Sequence, residues 1–150
     1  MIIYRLTTGK FANDLSGTGS KIYGGRWNPP GIAALYTSQY ISLAILEILV
    51  RASKFTSPSS YTLLSFEIPD SGIYELQLKK IKKDWQNDLG YTQQIGADFL
   101  NENQTLCIKV PSAIVPQENN FLLNPLHPDF KNLKIASSEL LELDKRLSVL

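Results

Sequence analysis

From Leu43 to Val50 the chain reads Leu-Ala-Ile-Leu-Glu-Ile-Leu-Val, eight residues that carry a single charge, Glu47. Within Ser38 to Ser53, Leu43, Leu46, Leu49 and Val50 recur at helical spacing, and Ile45 and Ile48 widen the stripe. A helix so apolar is expected to be largely buried. Short runs rich in β-formers supply surfaces to cover it: Ile2 to Leu6, Ile32 to Thr37, Tyr61 to Ile68, Ile73 to Leu76 and Thr105 to Val110. A second helix is expected from Tyr91 to Asn101, with Ile95, Phe99 and Leu100 inward, and a short third one over Ser138 to Leu147. Strands and helices do not alternate regularly, and the runs around residues 61–76 look like a hairpin, so the expected class is α+β and not a doubly wound sheet. At 150 residues and 43% hydrophobic, the chain fits one domain, 1–150, that buries roughly two-thirds of the surface its unfolded form exposes.

The charge balance restricts function further. A net charge of +1 with 19% charged residues gives no electrostatic footprint for a polyanion, so direct nucleic-acid binding is not expected. Cys107 is the only cysteine, which excludes an intramolecular disulfide. Met1-Ile2-Ile3-Tyr4-Arg5 does not resemble a signal peptide and no run approaches a membrane span, so the expected compartment is the cytoplasm, without membrane attachment. His127 is the only histidine and lies in a proline-flanked loop, so neither a metal site nor a histidine-based triad is expected. Catalysis would have to run on Arg, Glu, Tyr and Ser.

Gly17-Thr18-Gly19-Ser20-Lys21 fits neither common phosphate-binding pattern, since Ile22 stands where a dinucleotide fingerprint needs its third glycine, and no Gly-Lys-Ser/Thr follows. It reads as a flexible loop, suited to closing over a ligand. Gly24-Gly25-Arg26-Trp27-Asn28-Pro29-Pro30-Gly31 is different, because glycines allow unusual backbone geometry while prolines stiffen the exit. Such a frame would preset Arg26 for forked bonding to phosphate or carboxylate and offer Trp27 to an aromatic base. A structural turn with Trp27 in the core accounts for the same residues equally well. Glu47 likewise either faces a polar cleft or pairs with Arg51 one helical turn on. Ser112, after Pro111, reads as a turn cap, Cys107 as inert, and Lys79-Lys80-Ile81-Lys82-Lys83 as a solvated face.

Taken together, Tyr4-Arg5, Gly24 to Gly31, Tyr36-Thr37-Ser38, Leu46-Glu47, Pro111-Ser112-Ala113, Asn124-Pro125 and Asp144-Lys145-Arg146-Leu147 resemble the RES domain family. That family takes its name from an arginine, a glutamate and a serine, which fall here on Arg26, Glu47 and Ser112. The resemblance runs in order along nearly the whole chain; the stretch from Phe55 to Leu100 is generic.

The resemblance implies a single-domain ADP-ribosyltransferase-like fold with a mixed, split β-sheet and flanking helices. It also implies an NAD-consuming toxin of a bacterial type II toxin–antitoxin system, which cleaves the nicotinamide–ribose bond with water or phosphate as acceptor. A mono-ADP-ribosyltransferase that modifies a cellular protein is the alternative within the family, and a non-catalytic module that binds an anionic ligand is the rival from another class. The implied catalytic residues are Glu47, Arg26 and Ser112. The implied NAD contacts are Arg5, Arg26, Tyr36 and Ser112, with Tyr36 stacking on the nicotinamide and Ser112 orienting its amide or ribose. NAD is substrate, with no prosthetic group or metal. The implied partner is a DNA-binding antitoxin of the Xre type, with a homodimer inside a larger complex.

Overall fold

The computed structural model describes residues 1–51, 58 and 60–149. Strands β1 (Ile2–Thr7), β2 (Leu35–Ser38), β3 (Ser60–Glu67), β4 (Ile73–Glu75), β5 (Cys107–Pro111), β6 (Asn119–Leu123) and β7 (Lys134–Glu142) form one seven-stranded sheet in the order β4-β5-β6-β2-β1-β3-β7. Every neighbouring pair is antiparallel except β4 and β5. Helices α1 (Thr18–Tyr23), α2 (Ile41–Arg51) and α3 (Leu89–Glu102) complete an α+β fold with a mixed sheet, as expected. The sheet is also split. β1 meets β3 along six residue pairs, Ile2↔Glu67 to Thr7↔Thr62, but meets β2 at one, Tyr4↔Ser38. The two halves diverge from that joint, which opens space between them.

Several expectations need correction. Ser138 to Leu147 is not a helix: β7 occupies Lys134–Glu142, and a 3-10 turn follows at Lys145–Val149. Pairing with β3 from Ser60↔Glu142 to Glu67↔Lys134 outweighs the local helical preference of Glu-Leu-Leu-Glu. The runs at 61–76 form no hairpin either, because β3 lies beside β1 and β7, while β4 pairs with β5 at the opposite edge. β6 was not foreseen, since a strand that opens with Asn119-Asn120 reads as a turn. The glycine-rich segment at 17–21 is not a loop but the start of α1, where Lys21 N–H donates to Gly17 O at 2.9 Å. α2 matches its expected span up to Arg51; Ala52 and Ser53 lie outside the described residues. It is less covered than its composition suggests, with only Leu43 and Ala44 buried and Val50 69% exposed.

One core face of the sheet gathers Ile3, Leu35, Leu64, Phe66, Phe121 and Leu123. The other is shared by two clusters. Leu6, Ala44, Tyr61 and Leu63 pack with Ile45 and Ile48 of α2, while Trp27, Trp85, Leu100, Ile108 and Leu122 pack with Ile95 and Phe99 of α3. α3 starts on Asp88, whose side chain accepts from Tyr91 N–H at 2.9 Å, and ends on Asn103 in the left-handed region, φ 52°. Buried Thr92, Gly96 and Leu100 recur every fourth residue and define its inner face. Gly96 lets the helix lie directly against the Trp27 carbonyl, since a Cβ there would fall 1.6 Å from that oxygen.

Asn28, fully buried, organises the glycine–proline segment. Its Nδ2 donates to Ser20 O and to Ile32 O, both at 2.8 Å, and its Oδ1 accepts from the Tyr36 hydroxyl at 2.6 Å. Gly24 takes φ 71°, and a Cβ on Gly25 would meet the Tyr36 hydroxyl at 2.5 Å, so both glycines are required sterically. Two stability changes follow. Gly96→Ala forces α3 away from Trp27 and is expected to cost at least about 2 kcal/mol in urea unfolding. Asn28→Asp turns an anionic oxygen toward two carbonyls and is expected to lose at least about 3 kcal/mol, read as a fall in midpoint at unchanged m.

Candidate active site

The divergence of β1 from β2 opens a cleft of about 770 Å³. Ala44, Glu47, Ile48 and Arg51 of α2 line it at helical spacing, so one face of that helix forms a wall. Here lies the reason for a charge in an otherwise apolar helix: Glu47 faces the cleft and forms no ion pair with Arg51 among the described residues. Its Oε1 accepts from Ser112 Oγ at 3.0 Å and from Asn120 Nδ2. Oε2 has no hydrogen-bond partner among the described residues, which leaves it as the open oxygen of this cleft-lining side chain.

Three arginines share the cleft with this carboxylate, namely Arg5, Arg26 and Arg51. Arg5 is anchored through Nη1 to Asp14 O at 2.9 Å; burial lowers its pKa from the ordinary guanidinium value, and the charge of Asp14 acts in the opposite direction. Asp14 is itself held below the usual carboxylate range, chiefly by hydrogen bonds from the Ser16 side chain and backbone. Arg26 donates through Nη1 to Gln86 O at 2.7 Å, and Gln93 Nε2 donates to the neighbouring Gly25 O at 3.0 Å, so the α3 region steadies the arginine's segment. Each anchored guanidinium spends one nitrogen on the protein and keeps further donors for a ligand. Arg51 lies over the Tyr36 ring, 5.2 Å from its centroid, a cation–π geometry.

Tyr36 is tied down at its polar end. Its hydroxyl accepts from Trp27 N–H at 2.9 Å while donating to Asn28, and its pKa is pushed up to about 12, mainly by burial. Its ring, not its oxygen, is therefore what the cleft can use. Ser112 is fully buried behind Glu47. Its oxygen accepts from Ile114 N–H and Val115 N–H, both at 3.1 Å, so its proton goes to Glu47. The Ser112 hydroxyl is thus committed to the Glu47 carboxylate and to two backbone N–H groups. Trp27 takes the core reading: it is 1% exposed and packs on Trp85 with centroids 5.5 Å apart.

The remaining singled-out residues lie apart from this chemistry. Cys107 is buried in β5 and its thiol is pushed up to about 12 by desolvation. His127 Nδ1 accepts from Asp129 N–H and caps a 3-10 turn. In the lysine run, Lys82 pairs with Asp88 and Ile81 is buried. Sequence reading gave no role to Asn120 or Ser38 and considered Arg51 only as a partner of Glu47. No local pattern marks an asparagine in a strand as a carboxylate's donor. The spacing Ala44, Glu47, Ile48, Arg51 did hold a signal for Arg51.

Chemically, the cleft joins a fixed carboxylate with one open oxygen to cations placed for a polyanionic ligand and to an aromatic ring face. Such a set suits a substrate that carries phosphates and develops positive charge at carbon on reaction.

The family profile described as the RES domain matches residues 2–144. Over 133 residues the chain is 41% identical to "Toxin Res" of Photorhabdus laumondii, which covers 87% of this chain and 85% of the relative. It is 36% identical over 128 residues to the "Prs ADP-ribosylating toxin" of Sphingobium sp., covering 82% and 80% respectively. Among solved structures, the M. tuberculosis MbcT-MbcA toxin-antitoxin complex contains a chain similar in fold, with a TM-score of 0.77 at 20% identity over 99% of this chain and 86% of that one. A profile match over almost the whole length, relatives at such identity and a shared fold lead to one conclusion: the chain belongs to the RES domain family.

Proposed function

We propose that the chain is the toxin of a toxin–antitoxin system and that it consumes NAD by breaking the nicotinamide–ribose bond. The observation that carries this reading is Glu47, one oxygen held by Ser112 and Asn120 and the other open to an arginine-lined cleft. The relatives "Toxin Res" and "Prs ADP-ribosylating toxin" support it.

In this mechanism Arg5 and Arg26 bind the pyrophosphate, and Arg51 adds positive potential at the rim. Tyr36 offers its ring face to the nicotinamide, which requires Arg51 to give way or to stack on the outer side. As the C1′–N bond breaks, its electron pair goes to the nicotinamide, which leaves neutral, and positive charge grows on the ribosyl carbon. The open oxygen of Glu47 stabilises that charge, and a carboxylate aimed at an oxocarbenium-like centre is the usual solution to glycosidic cleavage. Water as acceptor yields ADP-ribose and a proton; phosphate yields the 1″-phosphate. A mono-ADP-ribosyltransferase is the second reading, favoured by the name of the Sphingobium relative. Here a protein side chain takes the acceptor's place and the rest of the cleft is used unchanged.

A cytoplasmic site of action fits a reaction on NAD, and no helix among the described residues is long and apolar enough to cross a membrane. With a net charge of +1, the chain would need a DNA-binding partner to reach an operator, and an antitoxin of the Xre type would supply it. A dimer inside such a complex is part of the same proposal.

Incubation of the purified chain with NAD should release nicotinamide. Glu47→Gln, which keeps the hydrogen bonds but removes the charge, is expected to slow release about 100- to 1000-fold. Arg26→Ala is expected to lower kcat/KM about 10- to 100-fold. Unchanged turnover in both variants would refute the mechanism. Radiolabel from adenine-labelled NAD separates the acceptors: small products indicate water or phosphate, and label retained on a host protein indicates the transferase.

A further inference from the structure

Glu47 reaches the cleft on a side chain with several free torsions, and nothing within α2 decides which of its oxygens points outward. Resting on the NAD reading above, we propose that Asn120, held by Ser38, is a positioning residue that selects the oxygen Glu47 presents to the substrate.

The two residues stand directly opposite each other in the ladder, Ser38↔Asn120 across β2 and β6, so their side chains leave the same face of the sheet. Ser38 is also the residue at which β2 touches β1, through Tyr4, and Asn120 is paired on its other side with Val110 of β5. The pair therefore sits in the row that crosses the joint of the split sheet. Both are buried, at 4% and 8% exposure. Ser38 Oγ donates to Asn120 Oδ1 at 2.7 Å, which turns the amide nitrogen toward Glu47 Oε1. The flipped amide would set its oxygen against a carboxylate oxygen and is disfavoured electrostatically.

Ser112 alone leaves the carboxylate one donor and freedom to pivot about its last torsion. With Asn120 as a second donor on the same atom, Oε1 is occupied from two directions and Oε2 is left for the developing charge. The donors come from different segments, Asn120 within β6 and Ser112 just after β5, so the sheet and not the helix sets the orientation. Asn120 acts through Glu47 and does not itself engage the reacting atoms, although it borders the cleft.

Initial rates of nicotinamide release by the full chain test the assignment. Asn120→Leu keeps the volume and removes the donor; kcat is expected to fall about 10- to 100-fold, with the KM for NAD changed less than about threefold. Asn120→Asp keeps the shape and the Ser38 contact but places a second carboxylate against Oε1, and its kcat is expected to lie below that of the leucine variant. Ser38→Ala is expected to lower kcat about three- to tenfold, and the double variant Ser38→Ala with Asn120→Leu should match Asn120→Leu within about twofold, because Ser38 works through Asn120. Thermal unfolding of every variant checks the fold, and Asn120→Asp carries the test should the leucine variant not fold. A kcat within twofold of wild type in Asn120→Leu or, failing that, in Asn120→Asp, a loss confined to KM, or multiplying effects of Ser38 and Asn120 overturns the assignment alone. A wild-type chain that releases no nicotinamide overturns the NAD reading, and this assignment with it.

Discussion

A carboxylate on an apolar helix must be compensated, or the helix cannot dock where Glu47 is. Two donors, Asn120 within β6 and Ser112 just after β5, and one oxygen open to the cleft meet that demand. Much of the architecture follows from this arrangement. α2 has to lie with its Ala44–Glu47–Ile48–Arg51 face toward the gap between β1 and β2 and not fully against the sheet, and that is why so apolar a helix keeps only Leu43 and Ala44 buried.

The opposite wall depends on rigidity of another kind. Asn28 ties together the backbones at Ser20 and Ile32 and the hydroxyl of Tyr36, while Gly96 admits α3 against Trp27. Arg26 inherits this fixity and is further held by Gln86 O. Arg5 is clamped separately from the segment that carries Asp14. The cleft thus sets a carboxylate oriented by one half of the split sheet among guanidinium groups fixed by loops. Preorganisation of this sort lets charge be stabilised without reorganising the protein as the reaction proceeds.

Strong local patterns were legible in the sequence. α2 and α3 announced themselves by helical periodicity, and five strands by runs of β-formers, because these signals are written into neighbouring residues. β6 and β7 were not legible. Asn-Asn and Glu-Leu-Leu-Glu have local preferences opposed to strand, which pairing with β2 and β5, and with β3, overrides. The site divided in the same way. Arg5, Arg26, Tyr36 and Glu47 could be picked out through family resemblance and do line one cleft. Asn120 could not, and Ser38, although part of the Tyr36-Thr37-Ser38 motif, carried no role, since the importance of both arises from a cross-strand register between residues far apart in the chain.

By itself the sequence determined the class of fold, the family resemblance and the small set of chemical groups on hand, with one histidine, one cysteine and a lone charge in the apolar run Leu43 to Val50. Those are properties of composition, order and short-range spacing. Only the tertiary structure decided that Gly24 to Gly31 is a rigid frame with Trp27 in the core, that Glu47 faces a cleft instead of pairing with Arg51, and that Ser112 lies behind the carboxylate. Each of those outcomes depends on which groups share a desolvated space, and the free energy of burying a charge or a hydrogen bond is set by neighbours that come from distant segments.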